Sequence, residues 1–317
     1  MAIRIAAFYL ALAVLSAVAT SSHASTTTGP SESSFTAILT EQEFPSAHAS
    51  VVNDVNFSDD GRYIVSASSD RSAKIWSFDP LNGVTLLTTL IHPDIVYVVN
   101  ISGSGDWVVT ASADGNARLF SLLPDGTTNQ EAVLSNAGRV WDCEFSPDDR
   151  WIATVTWADD TVSIWEVNDG DPRLSDSVSG ISRYAARFSR DQNWLLCGES
   201  VFRFTSTGEI GARVDIPAEL ENGGTEGDIS PDNNHVALRK NNALQLGRFS
   251  PAGIELVDEL AAHESMVTCL RFSPTHSMLL SAGDDAAIRL WDLSDRELTR
   301  CLTIDSFGGG VISAIFS

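Results

Sequence analysis

The chain has 317 residues, 43% hydrophobic and 20% charged, a composition that supports a well-cored globular protein, and its length exceeds what one non-repetitive core usually organises. Its 42 acidic and 20 basic residues leave a net charge of −22, and Lys74 and Lys240 are the only lysines. Without a dense basic cluster, a polyanion is repelled at every approach, so nucleic acid is not an expected partner and the acidic surface reads first as a device for solubility.

The opening residues read as an export signal. Arg4 supplies a positive start, Ile5 to Ala19 is apolar, and Ser22-His23-Ala24 ends in a small residue suited to cleavage. About 15 apolar residues fall short of the roughly 20 that a spanning helix needs. Residues 1–24 are therefore expected to be a cleaved signal peptide, leaving no membrane span in the mature chain and an exported, periplasmic or secreted location. Residues 25–34 are rich in Ser and Thr and form an expected disordered linker.

From residue 35 the chain repeats itself. His48, Ser66, Asp70 and Trp76 recur at the same spacing as His263, Ser281, Asp285 and Trp291. His92, Thr110, Asp114 and Phe120 keep that spacing with Phe in place of Trp. Asn136, Thr154, Asp159 and Trp165 keep the first interval and insert one residue before the Asp. A fourth unit begins near Ser179 with a shortened turn, and a fifth keeps little beyond DISPDNNHVAL. Within a unit, short apolar or alternating stretches such as Val51 to Phe57, Tyr63 to Ala67, Ala73 to Phe78 and Val84 to Leu90 are separated by Asp59-Asp60-Gly61 and Asn82-Gly83. Four strands per repeat, repeated radially, make a propeller blade.

On the strength of Ile75-Trp76, Leu290-Trp291-Asp292, the Phe145-Ser146-Pro147-Asp148 turn and the His/Ser/Asp/Trp spacing, residues 35–317 resemble the WD-repeat family. The resemblance implies an all-β propeller of four-stranded blades, six recognisable and a seventh incomplete. It also implies that the repeated polar residues are structural tetrads and not catalytic triads: His48, Ser66, Asp70 and Trp76; His92, Thr110 and Asp114; His263, Ser281, Asp285 and Trp291. Where Phe120 replaces Trp, the indole donor is lost and packing must hold the blade.

No G-x-S-x-G elbow, P-loop, dinucleotide fingerprint, H-E-x-x-H or paired C-x-x-C occurs, so no catalytic residue, cofactor or metal is expected. Cys269 and Cys301 fall on the inner and outer strands of one blade, about 14 Å apart at the usual strand spacing, too far for a disulfide. Cys143 and Cys197 fall on core-facing strands of neighbouring blades and read as buried thiols.

On each innermost strand, burial switches from the fourth position after the His to the seventh and ninth. That switch requires a bulge, which turns the fifth position toward the surface. The fifth position is Asn53, Tyr97, Trp141, Tyr184 and Thr268 in blades one, two, three, four and six. Tyr97, Trp141 and Tyr184, with Arg139 beside them, are residue types that dominate binding hot spots. They are the expected anchor for a protein or peptide ligand. Burial of all three rings between blades would remove that expectation.

The last residues, Val311-Ile312-Ser313-Ala314-Ile315-Phe316-Ser317, repeat an inner-strand ending, and Phe35 to Leu39 stands where an outer strand is expected. The two middle strands of that seventh blade are not evident, which suggests an incomplete gene product or a ring with a gap. The expected function is a non-catalytic scaffold with a rigid surface for protein or peptide binding. The alternative is an accessory propeller gating a catalytic domain outside this chain, and a propeller enzyme with acidic residues on its axis comes third.

Overall fold

The computed structural model describes residues 48–305, apart from 80–82, 168–169, 182–184, 199, 215–219, 221–226, 251–252, 275 and 294–297, together with 2–7, 11–19, 35–43 and 311–316. Blade one is a four-stranded antiparallel sheet of Val52–Phe57, Tyr63–Ser68, Ser72–Asp79 and Gly83–Ile91, joined in chain order from the inside outward. Five further sheets repeat this order, starting from the inner strands Val96–Ile101, Val140–Phe145, Ala186–Phe188, Gly227–Ile229 and Val267–Phe272. The result is an all-β ring of four-stranded blades.

Each blade is covered on both faces by its neighbours, so its second strand reads as a continuous buried run instead of an alternating one. Tyr63–Ser68, Trp151–Thr156 and Met278–Gly283 are buried at every position. The outermost strands, such as Gly83–Ile91 and Arg173–Val178, are mostly exposed or half-buried. Consequently the protein has no single core. Tyr63, Val65 and Ile75 pack on Val96, Val99 and Phe120 between blades one and two, and Trp151 and Ile164 pack on Phe188, Leu195 and Phe204 between blades three and four.

A seventh sheet joins the two ends of the chain. Its order is Val311–Phe316, Ala2–Ala7, Ala11–Ala19, Phe35–Glu43, with Ile3 opposite Phe316 and Ala11 opposite Glu43. Val311–Phe316 lies between the inner strands of blades six and one, which closes the ring. The middle strands that were not evident at the C-terminal end therefore come from residues 2–7 and 11–19. An apolar run is compatible with an export core and with a sheet strand, and periodicity alone does not separate them. The expected linker at 25–34 lies outside the described residues.

All four cysteines are free thiols; Cys143, Cys197 and Cys269 are buried and Cys301 is half-buried. Burial pushes the Cys143 and Cys197 thiols well above their ordinary range.

The seam between blades three and four generates a test. Gly208, at a positive φ of 79°, lets the outer turn of blade four close over the Trp151 ring, and a Cβ there would collide with that ring. Trp151 is almost fully buried and has no room to yield. Gly208→Ala is expected to lower stability by about 1–3 kcal/mol, combining overpacking with left-handed backbone strain, read as a lower midpoint in urea or thermal unfolding.

Candidate functional site

The polar residues picked out by their spacing form buried hydrogen-bond chains. In blade one, His48 Nδ1 lies 3.0 Å from Asp70 Oδ2 and Nε2 lies 2.8 Å from the Ser66 hydroxyl, while the Trp76 indole N–H donates to Ser66 at 3.0 Å. Blade six repeats this with His263, Asp285 (2.8 Å), Ser281 (2.7 Å) and Trp291 (2.9 Å). The chain is satisfied by one proton on each imidazole: Nδ1–H donates to the carboxylate, Nε2 accepts from Ser, and the Ser oxygen accepts from Trp.

Blades two and three depart from this scheme. His92 Nε2 still meets Thr110 at 2.8 Å, but Nδ1 faces the Leu90 carbonyl at 3.2 Å, and Asp114 is taken by Arg118 at 2.6 Å. Phe120 packs edge-on against the His92 ring. In blade three Thr154 donates to Asn136 at 3.0 Å and accepts from Trp165 at 2.9 Å, while Asp159 accepts from the Thr156 hydroxyl instead. Burial holds all three tetrad imidazoles below their ordinary value, His92 down to about 4. Burial opposes ionisation of Asp70 and Asp285, yet hydrogen bonds from neighbouring amides and side chains outweigh it and hold both carboxyls down at about 2.

Above the tetrads, the innermost strands carry a bulge. The register with the second strand shifts between Val52 and Asp54, Val96 and Val98, Val140 and Asp142, and Val267 and Cys269. The residue passed over is Asn53, Tyr97, Trp141 or Thr268. Asn53 donates to the Val96 carbonyl of blade two at 2.8 Å and so serves the blade seam. Tyr97 and Trp141 are half-buried and in contact, with ring centroids 4.5 Å apart and planes tilted by 37°. A third ring extends the cluster: Trp157 lies 4.9 Å from Trp141 and is 37% exposed. Trp157 follows the strand Trp151–Thr156, and its amide donates to the Arg139 carbonyl at 3.0 Å, which ties the two loops of blade three together. Arg139 is exposed, and Tyr184 lies outside the described residues. Trp157 was not picked out by repeat position. It stands three residues after Thr154, as Ser69, Ala113 and Asp284 stand after Ser66, Thr110 and Ser281, and the same amide bond to the residue 18 earlier marks the position in each blade.

Below the rim, charges line the axis. Arg187 reaches Asp142 and Glu144, both at 2.8 Å. Asp54, Asp142 and Asp228 accept from the backbone amides of Val99, Ala186 and Phe272 in the next blade at 3.3, 2.9 and 2.7 Å. These carboxylates latch neighbouring inner strands, satisfying N–H groups that a free edge would leave open. Burial raises Asp54 to about 6 and Glu144 to about 7, against the opposing pull of Arg271 and Arg187 respectively. Among the described residues no three His, Cys, Asp or Glu side chains are grouped to hold a metal.

The two sets of shifts oppose each other in pH. A tetrad imidazole depressed in the fold stabilises above the unfolded value near 6.5 and loses that contribution as pH falls toward the folded value. Asp54 and Glu144, raised in the fold, gain stability as pH falls through 7 and 6. His92→Asn, the solution blade three already uses, removes one imidazole and leaves the carboxylates in place. Its unfolding midpoint is expected to fall by the equivalent of about 1 kcal/mol at pH 7. Between pH 6.5 and 4 it is expected to lose less stability than the parent chain, as followed by thermal unfolding at each pH.

The WD40 family model (WD domain, G-beta repeat) matches residues 40–77, 84–121, 129–166 and 254–292. A subunit of chromatin assembly factor 1 from Mus musculus is 44% identical over 52 residues, 16% of this chain and 9% of that protein. WD repeat-containing protein 18 of Bos taurus is 24% identical over 162 residues, 51% of this chain and 30% of that protein. Nucleoporin seh1 of Schizosaccharomyces pombe is 38% identical over 53 residues, 17% of this chain and 16% of that protein. The chain thus spans less than a third of each of these relatives. A chromatin assembly factor and a nucleoporin are nuclear by name, which corrects the expectation of a periplasmic or secreted protein. No helix among the described residues is long and apolar enough to cross a membrane. The four matched repeats, the WD-repeat relatives and the ring of four-stranded blades make this chain a WD-repeat β-propeller.

Proposed function

We propose that this chain is a non-catalytic scaffold that holds a protein or peptide partner on the rim formed by Tyr97, Trp141, Trp157 and Arg139. The observation that carries this reading is the continuous ring cluster across blades two and three, with an indole 37% exposed at its outer end. Aromatic side chains bury large area at low entropic cost, and a solvent-facing cluster on a rigid frame is where binding energy concentrates. The frame is rigid because the loops bearing the rings are tied to the tetrads beneath and to each other through Trp157 and Arg139. A catalytic role for the tetrads is disfavoured because both nitrogens of the His48 and His263 rings are already bonded.

The test is quantitative affinity capture with the parent chain, Trp141→Ala, Trp157→Ala and a control, Leu174→Ala, on the exposed outer strand of blade three. Proteins retained by the parent and by Leu174→Ala are expected to be depleted at least tenfold by either tryptophan variant, with unfolding midpoints near the parent's. A captured set unchanged by both tryptophan variants would clear the rim of an anchor role.

A further inference from the structure

We propose that the outer edge of blade one is a self-association surface, on which a second copy of this chain lays its own Gly83–Ile91 strand antiparallel to the first. The contact is independent of the rim. An outermost strand offers a row of unpaired N–H and C=O groups, and proteins commonly blunt such an edge with charged side chains. Glu131, Asp176, Arg213, Asp258, Arg300 and Glu41 stand on the outermost strands of blades two to six and of the seventh sheet. Gly83–Ile91 has no such residue, and the sequence from Pro80 to Ile91 is free of charge. Leu86 and Ile91 are 44% and 75% exposed, and Ser72–Asp79 is the one strand paired with this edge among the described residues. That adjoining strand carries one charge of each sign, Lys74 and Asp79.

Charge and register both favour a second copy as the occupant. At a net charge of −22 two copies repel each other, and a neutral edge is where they meet at least electrostatic cost. The register with Ser72–Asp79 shifts at Leu87, so Thr85, Leu87, Thr88 and Leu90 share one face of the sheet while Val84, Leu86, Thr89 and Ile91 share the other. That order is symmetric about the Leu87–Thr88 bond. A twofold axis there sets Val84 opposite Ile91, Thr85 opposite Leu90, Leu86 opposite Thr89 and Leu87 opposite Thr88, every pair on a common face and none charged. A regular foreign strand stays in phase with one flank of the bulge and falls out of phase with the other. Thr88 donates to the Gly126 carbonyl of blade two at 3.0 Å, which holds the edge in place before a partner arrives. A ladder of this length supplies about eight main-chain hydrogen bonds, close to the roughly ten of an ordinary interface. Because both copies use the same edge, the contact closes at two.

The test is sedimentation equilibrium of the full chain over a concentration series, with thermal unfolding of each variant alongside. The parent is expected to approach twice its chain mass of 34.1 kDa and to go no higher. The double variant Leu86→Glu, Thr89→Glu sets carboxylates opposite each other across the contact. It is expected to weaken self-association roughly tenfold or more, with the loss largest at low salt. Leu174→Glu, a control on the exposed outer strand of blade three, is expected to associate as the parent does. Thr89 stands opposite Lys74 in its own sheet, so Thr89→Glu alone carries the same test if Leu86→Glu lowers the unfolding midpoint. A parent that stays single throughout the series, a pair indifferent to both edge variants, or association that continues past two copies would overturn the proposal.

Discussion

A single buried hydrogen bond recurs in every matched blade and sets the height of what lies above it. The hydroxyl of Ser66, Thr110, Thr154 or Ser281, on the second strand, meets the side chain of His48, His92, Asn136 or His263, always 18 residues earlier. Everything else in the tetrad is free to vary. The first partner can be Asn, the carboxylate can turn away to an arginine, and the indole can become a phenyl ring. The bond survives these changes because both groups are covered by the next blade. Leaving a buried hydroxyl or imidazole unsatisfied costs on the order of 1–3 kcal/mol, more than the net gain of making the bond.

The rim follows from that anchor. With the entering loop pinned by its His or Asn, the inner strand begins on a buried valine, Val52, Val96, Val140 or Val267, and must reach a second buried set three residues later. An alternating strand does not connect an even offset to an odd one, so one residue is passed over, and the pinned loop leaves it at the upper edge. Blade one uses that position to hold its neighbour through Asn53. Blades two and three use it to present rings. The inner strands of blades one, three and five bind the next blade through Asp54, Asp142 and Asp228, with partners 44 or 45 residues away. Cohesion and presentation are thus alternative uses of one repeated backbone.

This division explains what could be read from residues alone. Blades one, two, three and six were legible because a buried tetrad demands particular residue types at fixed spacing. Blades four and five carry no such demand: their inner strands have three residues each, and Gly227 contributes no side chain. The bulge was legible as well, since the shift in burial along 52–57 and 140–145 has no other geometric solution. Trp157 was harder, because its repeat position carries no fixed residue type: Ser69, Ala113 and Asp284 make the same amide bond in blades one, two and six. The strands at 2–7 and 11–19 were illegible for a different reason. Residues 2–7 pair with 11–19 and with 311–316, and no local pattern carries information about the second of these pairings, which spans the whole chain.

The tetrads also limit what chemistry remains for this molecule. A general base needs a lone pair turned toward a substrate, and a nucleophilic hydroxyl needs a base not otherwise engaged. In blades one and six the imidazole lone pair is directed at a serine, and the serine oxygen is directed at an indole N–H. Their imidazoles are neutral at physiological pH and lie beneath the loops, so protonating them would break the contact that positions the rim. Polar groups that look like triads in the sequence are therefore consumed in holding the surface still. Among the described residues, the rings of Tyr97, Trp141 and Trp157 stay partly exposed at the upper edge of blades two and three, outside those hydrogen-bond chains.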